Sequence, residues 1–247
     1  MKSHVFAFIQ ARMGASRLSG KVMMDINGNP MLWHVVSRLK WCSFISEIVV
    51  VTTTKSEDDV IEQFCQQKKI CYFRGSEQNV LDRYYQAALT YKADVIVRIT
   101  SDCPLIDPDI TGRVVKAYLN SSVIVSVATN VAQRTYPRGL DTEVFSFAAL
   151  QKSWQMADKP YEQEHVTIFM YEHPELFNIV HVAQKENLSH LRWTVDESDD
   201  LRFVREIYRI MKENGKERFS FYDVIASIKQ YPELSGINSN VKQKAIH

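Results

Sequence analysis

The sequence predicts an α/β protein: a Rossmann-like, mostly parallel sheet with helices on both faces, and additional antiparallel strands in the second half. Three observations carry this expectation. Short apolar runs recur that lack the alternation of a half-exposed strand, as buried parallel strands do. Segments whose apolar residues repeat at helical spacing separate them. At 247 residues, with 45% hydrophobic and 24% charged side chains, the chain also has the material for one large core.

Residues 5–9 (Val-Phe-Ala-Phe-Ile) read as the first buried strand. After a polar loop, Asn29 is placed as a helix N-cap with Pro30 at the first helical position, and Met31, Leu32, Val35, Val36 and Leu39 line one face. Strands are expected at 48–51, 70–73 and 95–99, and helices at 57–67, 80–91 and from Asp107-Pro108 onward. A strand is expected at 123–127. Beyond about residue 130 the rhythm loosens: strands at 140–145, 177–182 and 191–195, helices at 162–171 and 201–211, and a frayed polar tail after Pro232.

Composition excludes several classes of function. A net charge of +1 supplies no field for a long nucleic acid, so any anion site is local. No stretch reaches the roughly 20 apolar residues of a membrane span, and the opening apolar segment is too short for a secretory signal. Cys42, Cys65, Cys71 and Cys103 form no CxxC pair and read as reduced thiols of a cytoplasmic protein.

The strongest local signal is the loop after the first strand, Gln10 to Lys21. Gly14 and Gly20 permit a tight fold and close approach to a ligand. Arg12, Arg17 and Lys21 would converge there on polyphosphate oxygens. The spacing from Gly14 to Lys21 is one residue too long for GxxxxGK[ST], and there is no GxGxxG. A solvated basic loop is the competing reading, but the position at the carboxyl end of a first buried strand favours a ligand.

Asp102 lies just past the strand at 95–99, at a ligand-presenting end. Alternation puts Arg98, Thr100 and Asp102 on one side. Asp107-Pro108-Asp109 matches a DxD metal motif in form, but an N-cap with proline after it explains the run better. In Arg192-Trp193-Thr194-Val195-Asp196, followed by acids up to Asp200, a strand would lead into the N-terminus of a helix. A loop from Arg134 to Glu143, with Arg138, Asp141 and a tyrosine, suits a ligand with carboxylate and hydroxyls. His165 would sit on a helix beside Glu164, either orienting that ligand or serving as an ordinary structural histidine. Cys103 reads as a small buried side chain rather than a nucleophile.

The pattern Arg12-x4-Arg17-Leu18-x-Gly20-Lys21, followed by Asp25-Ile26-Asn27-Gly28-Asn29-Pro30, resembles the cytidylyltransferases that activate sugar acids, such as CMP-Kdo synthetase and acylneuraminate cytidylyltransferase. The spore-coat polysaccharide biosynthesis protein F type is nearest. The resemblance implies a sheet of the nucleotide-diphospho-sugar transferase type and CMP transfer from CTP to a small acidic or sugar-like acceptor. It assigns triphosphate roles to Arg12, Arg17 and Lys21, and puts Ala11, Gly14, Arg74 and Arg83 near the nucleotide. It makes Asp102 and Asp196 the ligands of a magnesium ion. The acceptor falls to Arg98, Arg138, Asp141, Glu143 and His165. One domain is implied, with a nucleotide half at 1–130, an acceptor and homodimer part at 131–200, and C-terminal helices and tail at 201–247. Asn79-Val80-Leu81 departs from the family's Ser-Gly-Thr step beside the base. Two rivals follow from the same residues: a glycosyltransferase using Asp107 and Asp109, and a nucleotide-binding protein without activity.

Overall fold

The computed structural model describes residues 4–121 and 126–243. The chain opens with β1 (Val5–Gln10), the basic loop, and a small hairpin of β2 (Asp25–Ile26) and β3 (Asn29–Pro30). Then follow α1 (Met31–Leu39), β4 (Glu47–Thr53), α2 (Asp59–Lys68), β5 (Cys71–Gly75), α3 (Val80–Tyr91), β6 (Val95–Thr100) and α4 (Pro108–Leu119). The second half contributes β7 (Val127–Thr129), β8 (Glu143–Ser146), α5 (Phe147–Met156), α6 (Pro160–Glu164), α7 (Ile168–Glu172), β9 (Ile179–His181), α8 (Ser198–Glu213) and α9 (Phe221–Gln230).

Among the described residues one seven-stranded sheet runs β5-β4-β1-β6-β8-β7-β9. The first four strands are mutually parallel; β8 is antiparallel to β6 and β7, and β9 is parallel to β7. The chain moves outward from β1 through β4 to β5, then returns to place β6 on the other side of β1. The strand order therefore reverses between β1 and β6, where an open α/β sheet presents a crevice. Gln10 pairs with Thr100 in register, so the basic loop and the Asp102 loop leave the sheet side by side.

Alternation along β1 explains the two-sided core. Ala7 and Ile9 pack with Leu32, Val35 and Leu39 of α1 and Val114 of α4. Phe8 faces the other way, toward Leu81 and Tyr84 of α3 and Leu150 of α5. A third cluster joins α8 and α9 to Tyr136, Leu140 and Trp193.

Several expected elements change. Pro30 itself occupies the N-cap of α1, and both Asn29 and Pro30 pair in the hairpin. The helix expected at 162–171 is two short helices broken around His165 and Thr167; the buried Thr167 hydroxyl donates to Glu143 at 2.7 Å instead of facing solvent. The strand expected at 191–195 reduces to a single bridge between Arg192 and Arg138. Of the strand expected at 123–127, residues 123–125 lie outside the described residues and Val127 begins β7. Helix α5 was unexpected, although its cap was in the sequence: Ser146 accepts from the Ala149 N–H. Of the tail expected to fray after Pro232, the described residues 233–243 pack back on the molecule through buried Leu234 and Asn238.

Candidate active site

The basic loop is folded by its own backbone and one buried acid. The Ala11 N–H donates to the Val51 carbonyl at 3.1 Å, extending the sheet one residue past β1. The N–H groups of Ala15 and Gly20 then donate to the Met13 carbonyl at 2.8 and 2.9 Å, closing the loop. Gly20 makes that closure at φ +69°, a left-handed conformation that glycine adopts without steric cost. From outside the loop, wholly buried Asp58 accepts the Met13 N–H at 2.6 Å and also the Thr53 hydroxyl.

Lys21 is thereby delivered into the crevice. Its ammonium donates to Asp102 Oδ2 at 3.0 Å, Asp196 Oδ1 at 2.8 Å and the Val195 carbonyl at 2.7 Å. Burial opposes charge on this lysine, yet Asp102 and Asp196 outweigh it and raise its pKa above the usual value. Burial likewise opposes charge on Asp196, but Lys21, Arg192 and Arg17 hold its carboxyl below the ordinary aspartate range. Arg17 pairs with Asp196 at 2.8 Å, and Arg12 lies 3.8 Å from Glu77. Together Arg12, Arg17, Lys21, Thr100, Asp102 and Asp196 line a cavity of about 210 Å³.

Both carboxylates are held from behind. The Thr100 hydroxyl donates to Asp102 Oδ1 at 2.6 Å, leaving Oδ2 toward Lys21. Arg192 spans Asp196 at 2.7 Å and the wholly buried Asp200 at 2.9 Å, and Asp200 also accepts the Asp196 N–H at 2.9 Å. The Asp102 backbone is fixed as well, its carbonyl accepting the Val195 N–H at 2.8 Å. Two carboxylates addressing one ammonium suit a divalent cation that takes its remaining ligands from phosphates and water, as magnesium does. No cluster of three His, Cys, Asp or Glu that could hold a metal occurs among the described residues. Asp107 is used elsewhere: Oδ1 caps α4 through the Asp109 and Ile110 N–H groups, and Oδ2 accepts the Phe221 N–H. With both oxygens engaged and the side chain buried, Asp107 does not face a cavity as the glycosyltransferase metal pair would require.

Across Thr100 lies a second cavity of about 640 Å³. It gathers all five residues expected at an acceptor, Arg98, Arg138, Asp141, Glu143 and His165, together with Arg134. Arg98 and Glu143 are directly opposed across β6 and β8 and form an ion pair, which Tyr171 supports by donating to Glu143. Arg134 grips Asp141 with two nitrogens at 2.5 and 2.8 Å. Arg138 differs: burial and then Arg134 lower its pKa, as expected of a cation facing other cations. Gly139 carries the turn after it at φ +103°; a Cβ there would lie 2.6 Å from the Thr194 nitrogen.

Residues 6–236 match the cytidylyltransferase family model. The chain belongs to the cytidylyltransferase family. It is 35% identical to an uncharacterized protein, MJ1063, of Methanocaldococcus jannaschii, over 98% of this chain and 97% of the relative. It is 27% identical to the spore coat polysaccharide biosynthesis protein SpsF of Bacillus subtilis, over 94% and 96%. A 3-deoxy-manno-octulosonate cytidylyltransferase of Lawsonia intracellularis is 26% identical over 76% and 80%. A cytidylyltransferase structure from Leptospira borgpetersenii superposes with a TM-score of 0.88 at 31% identity, covering 99% of this chain and all of the other. The resemblance to sugar-acid cytidylyltransferases and the expected fold are both borne out.

Two residues of this cytidylyltransferase stand apart from the cavities. Arg74 spends its guanidinium on the carbonyls of Thr53 and Lys55 and on Asp59 and Glu62, stapling β5 to β4 and α2. Arg83 is fully buried rather than a surface partner of Asp82. Nη1 donates to the Ser76 carbonyl at 2.7 Å, while Nε and Nη2 have no hydrogen-bond partner. Cys103 is buried, and burial with Asp102 beside it pushes its thiol well above the usual range, against a nucleophilic role. Sequence reasoning did not assign Asp58, Arg134 or Asp200. The spacing Arg192-Asp196-Asp200 was a visible signal for the last; Asp58 had none, since Met13 is far away in sequence. Among the described residues no helix is long and apolar enough to cross a membrane.

Proposed function

We propose that the chain transfers CMP from CTP to a small anionic, sugar-like acceptor and releases pyrophosphate, in the synthesis of a surface polysaccharide. One observation carries the reading: the Lys21 ammonium lies between Asp102 and Asp196 in the basic-loop cavity, and Thr100 joins that cavity to the arginine-rich one. Arg12, Arg17 and Lys21 orient the triphosphate and offset the charge that builds on the leaving pyrophosphate. Asp102 and Asp196 hold magnesium, which supplies charge neutralisation and Lewis acidity at the α-phosphate. Ala11 and Gly14 bring backbone close to the nucleotide, and buried Arg83 holds the wall behind them through the Ser76 carbonyl. Arg74 acts in support of that wall rather than by contact.

In the second cavity Arg138 takes the acceptor's anionic group, while Arg98, Asp141, Glu143 and His165 shape the rest of its wall. An acceptor oxygen attacks the α-phosphorus in line, the bond to the β-phosphate oxygen breaks, and the acceptor's proton passes to solvent. A cytoplasmic homodimer completes the proposal. The test is a pyrophosphate-release screen of four nucleoside triphosphates against sugar acids, phosphorylated acids and polyols. We expect CTP with an anionic sugar-like acceptor to give the signal, and Asp102→Asn to cost about two or more orders of magnitude without loss of folding. Near-normal release from Asp102→Asn would sink the assignment, and nucleotide binding without release under any combination would make the chain a binding protein.

A further inference from the structure

Residues 238–243 cross from Asp200 and Arg192, past Arg17, to the larger cavity. Asn238 anchors the crossing: its side-chain amide donates to the Arg192 carbonyl and to Asp200 Oδ1, both at 2.9 Å. A turn follows, in which the Val241 N–H donates to the Asn238 carbonyl at 3.1 Å. The Lys242 carbonyl then accepts from Arg17 Nη1 at 3.3 Å. Next in the chain, Gln243 Oε1 accepts from Arg192 Nη1 at 2.6 Å, and Gln243 lines the larger cavity. The family match ends at residue 236, so the crossing lies outside the matched region.

We propose that residues 238–243 form an autoinhibitory strap that competes with the triphosphate for Arg17 and, through Gln243, partly closes the acceptor cavity. The Arg17–Lys242 contact is long and has a neutral acceptor. A phosphate oxygen is charged and makes a shorter, stronger bond to the same guanidinium. Triphosphate therefore displaces the Lys242 carbonyl, and Gln243, one peptide bond away, is drawn off the cavity wall with it. The size of the effect is bounded by what the strap loses, since a ligand shifts such an equilibrium only by its differential affinity for the two states. The proposal rests on the triphosphate role assigned to Arg17.

Inorganic tripolyphosphate is the probe, because it engages the loop cations without involving base or acceptor. Its binding is measured by calorimetry for the full chain, for Asn238→Ala and for Gln243→Ala, with hydrogen exchange at the Val241 amide in parallel. Both variants are expected to bind about 3- to 10-fold more tightly, the range of one hydrogen bond released. In the unsubstituted chain, saturating tripolyphosphate is expected to speed Val241 exchange. Unchanged affinity in both variants, or slower exchange at Val241, overturns the strap while leaving the triphosphate loop intact. Binding by none of the three proteins overturns the loop assignment and the strap with it.

Discussion

Replacing Lys21 with methionine removes the ammonium that faces both carboxylates. The lysine side chain is 10% exposed, against 25% for Asp102 and 17% for Asp196. With hydrogen bonds of 3.0 and 2.8 Å to one nitrogen, the two carboxylate oxygens lie at most about 6 Å apart. At an effective dielectric of about 20 their repulsion is then about 3 kcal/mol. Arg17 and Arg192 remain on Asp196 and offset part of it, so we expect a loss of about 2–3 kcal/mol, or a Tm lower by about 4–12 °C for a chain of this size. Adding Asp196→Asn to the variant should restore about 1 kcal/mol or more, although the same substitution alone destabilises the protein. Magnesium chloride without nucleotide should stabilise Lys21→Met more than the unsubstituted chain, because the carboxylate pair no longer has a resident cation. Pyrophosphate release should fall about 10²- to 10³-fold. Urea unfolding followed by circular dichroism, with a double-mutant cycle, measures the first effects. Additivity within about 0.5 kcal/mol together with near-normal release would refute the coupling and the role.

Two further predictions concern the acceptor side. Glu143 is buried and paired with Arg98; burial opposes its charge, but Arg98, Tyr171 and Thr167 hold its carboxyl below the usual range. A depressed folded pKa means that the unfolded chain takes up the proton first as pH falls. The stability from Glu143 is thus complete above the ordinary glutamate pKa of about 4.5 and drains away below it. Glu143→Gln should cost about 3–5 kcal/mol at neutral pH, and its deficit should narrow as urea midpoints are followed downward from about pH 4.5; a constant deficit contradicts the pairing. Gly139→Ala places a methyl group against the Thr194 nitrogen at a positive φ, so it should cost more than about 2 kcal/mol in thermal unfolding; a Tm within about 1 °C of the parent would show that the turn relaxes freely.

The parallel half of the sheet was legible because its strands are buried on both faces and so read as unbroken apolar runs, as at residues 5–9 and 48–51. The basic loop and Asp102 were legible from position, since both follow such strands. Legibility failed where a distant contact decided the outcome. Apolar spacing continues across residues 162–171, with Val166, Phe169 and Met170 all buried, while at the break the Thr167 hydroxyl is turned to buried Glu143, a distant partner that no local pattern shows. Arg83 beside Asp82 looks like an exposed pair; nothing local reveals that Asp82 turns instead to Gln86 and Trp154 while the arginine is buried. Arg98 with Glu143 needed the β6–β8 register, which alternation within either strand does not specify. Asn238 is held by Arg192 and Asp200, residues that no local pattern connects to it.

The single bridge between Arg138 and Arg192 has a mechanical meaning. The Arg138 N–H donates to the Leu191 carbonyl at 3.0 Å, the Trp193 N–H donates to the Arg138 carbonyl at 2.7 Å, and the Val195 N–H reaches the Asp102 carbonyl. These bonds are all main chain, so they form a truss between the arginine-rich loop and the two carboxylates that depends on Gly139 but not on the side chains lining the cavity. The cavity-lining side chains of Arg134, Arg138 and Asp141 can therefore be varied while the backbone between that loop and the two carboxylates keeps its bonds. Under the proposed function the scaffold would separate the choice of acceptor from the geometry of transfer, and an engineer seeking a new acceptor should work on the outward side chains of the truss and leave its glycine alone.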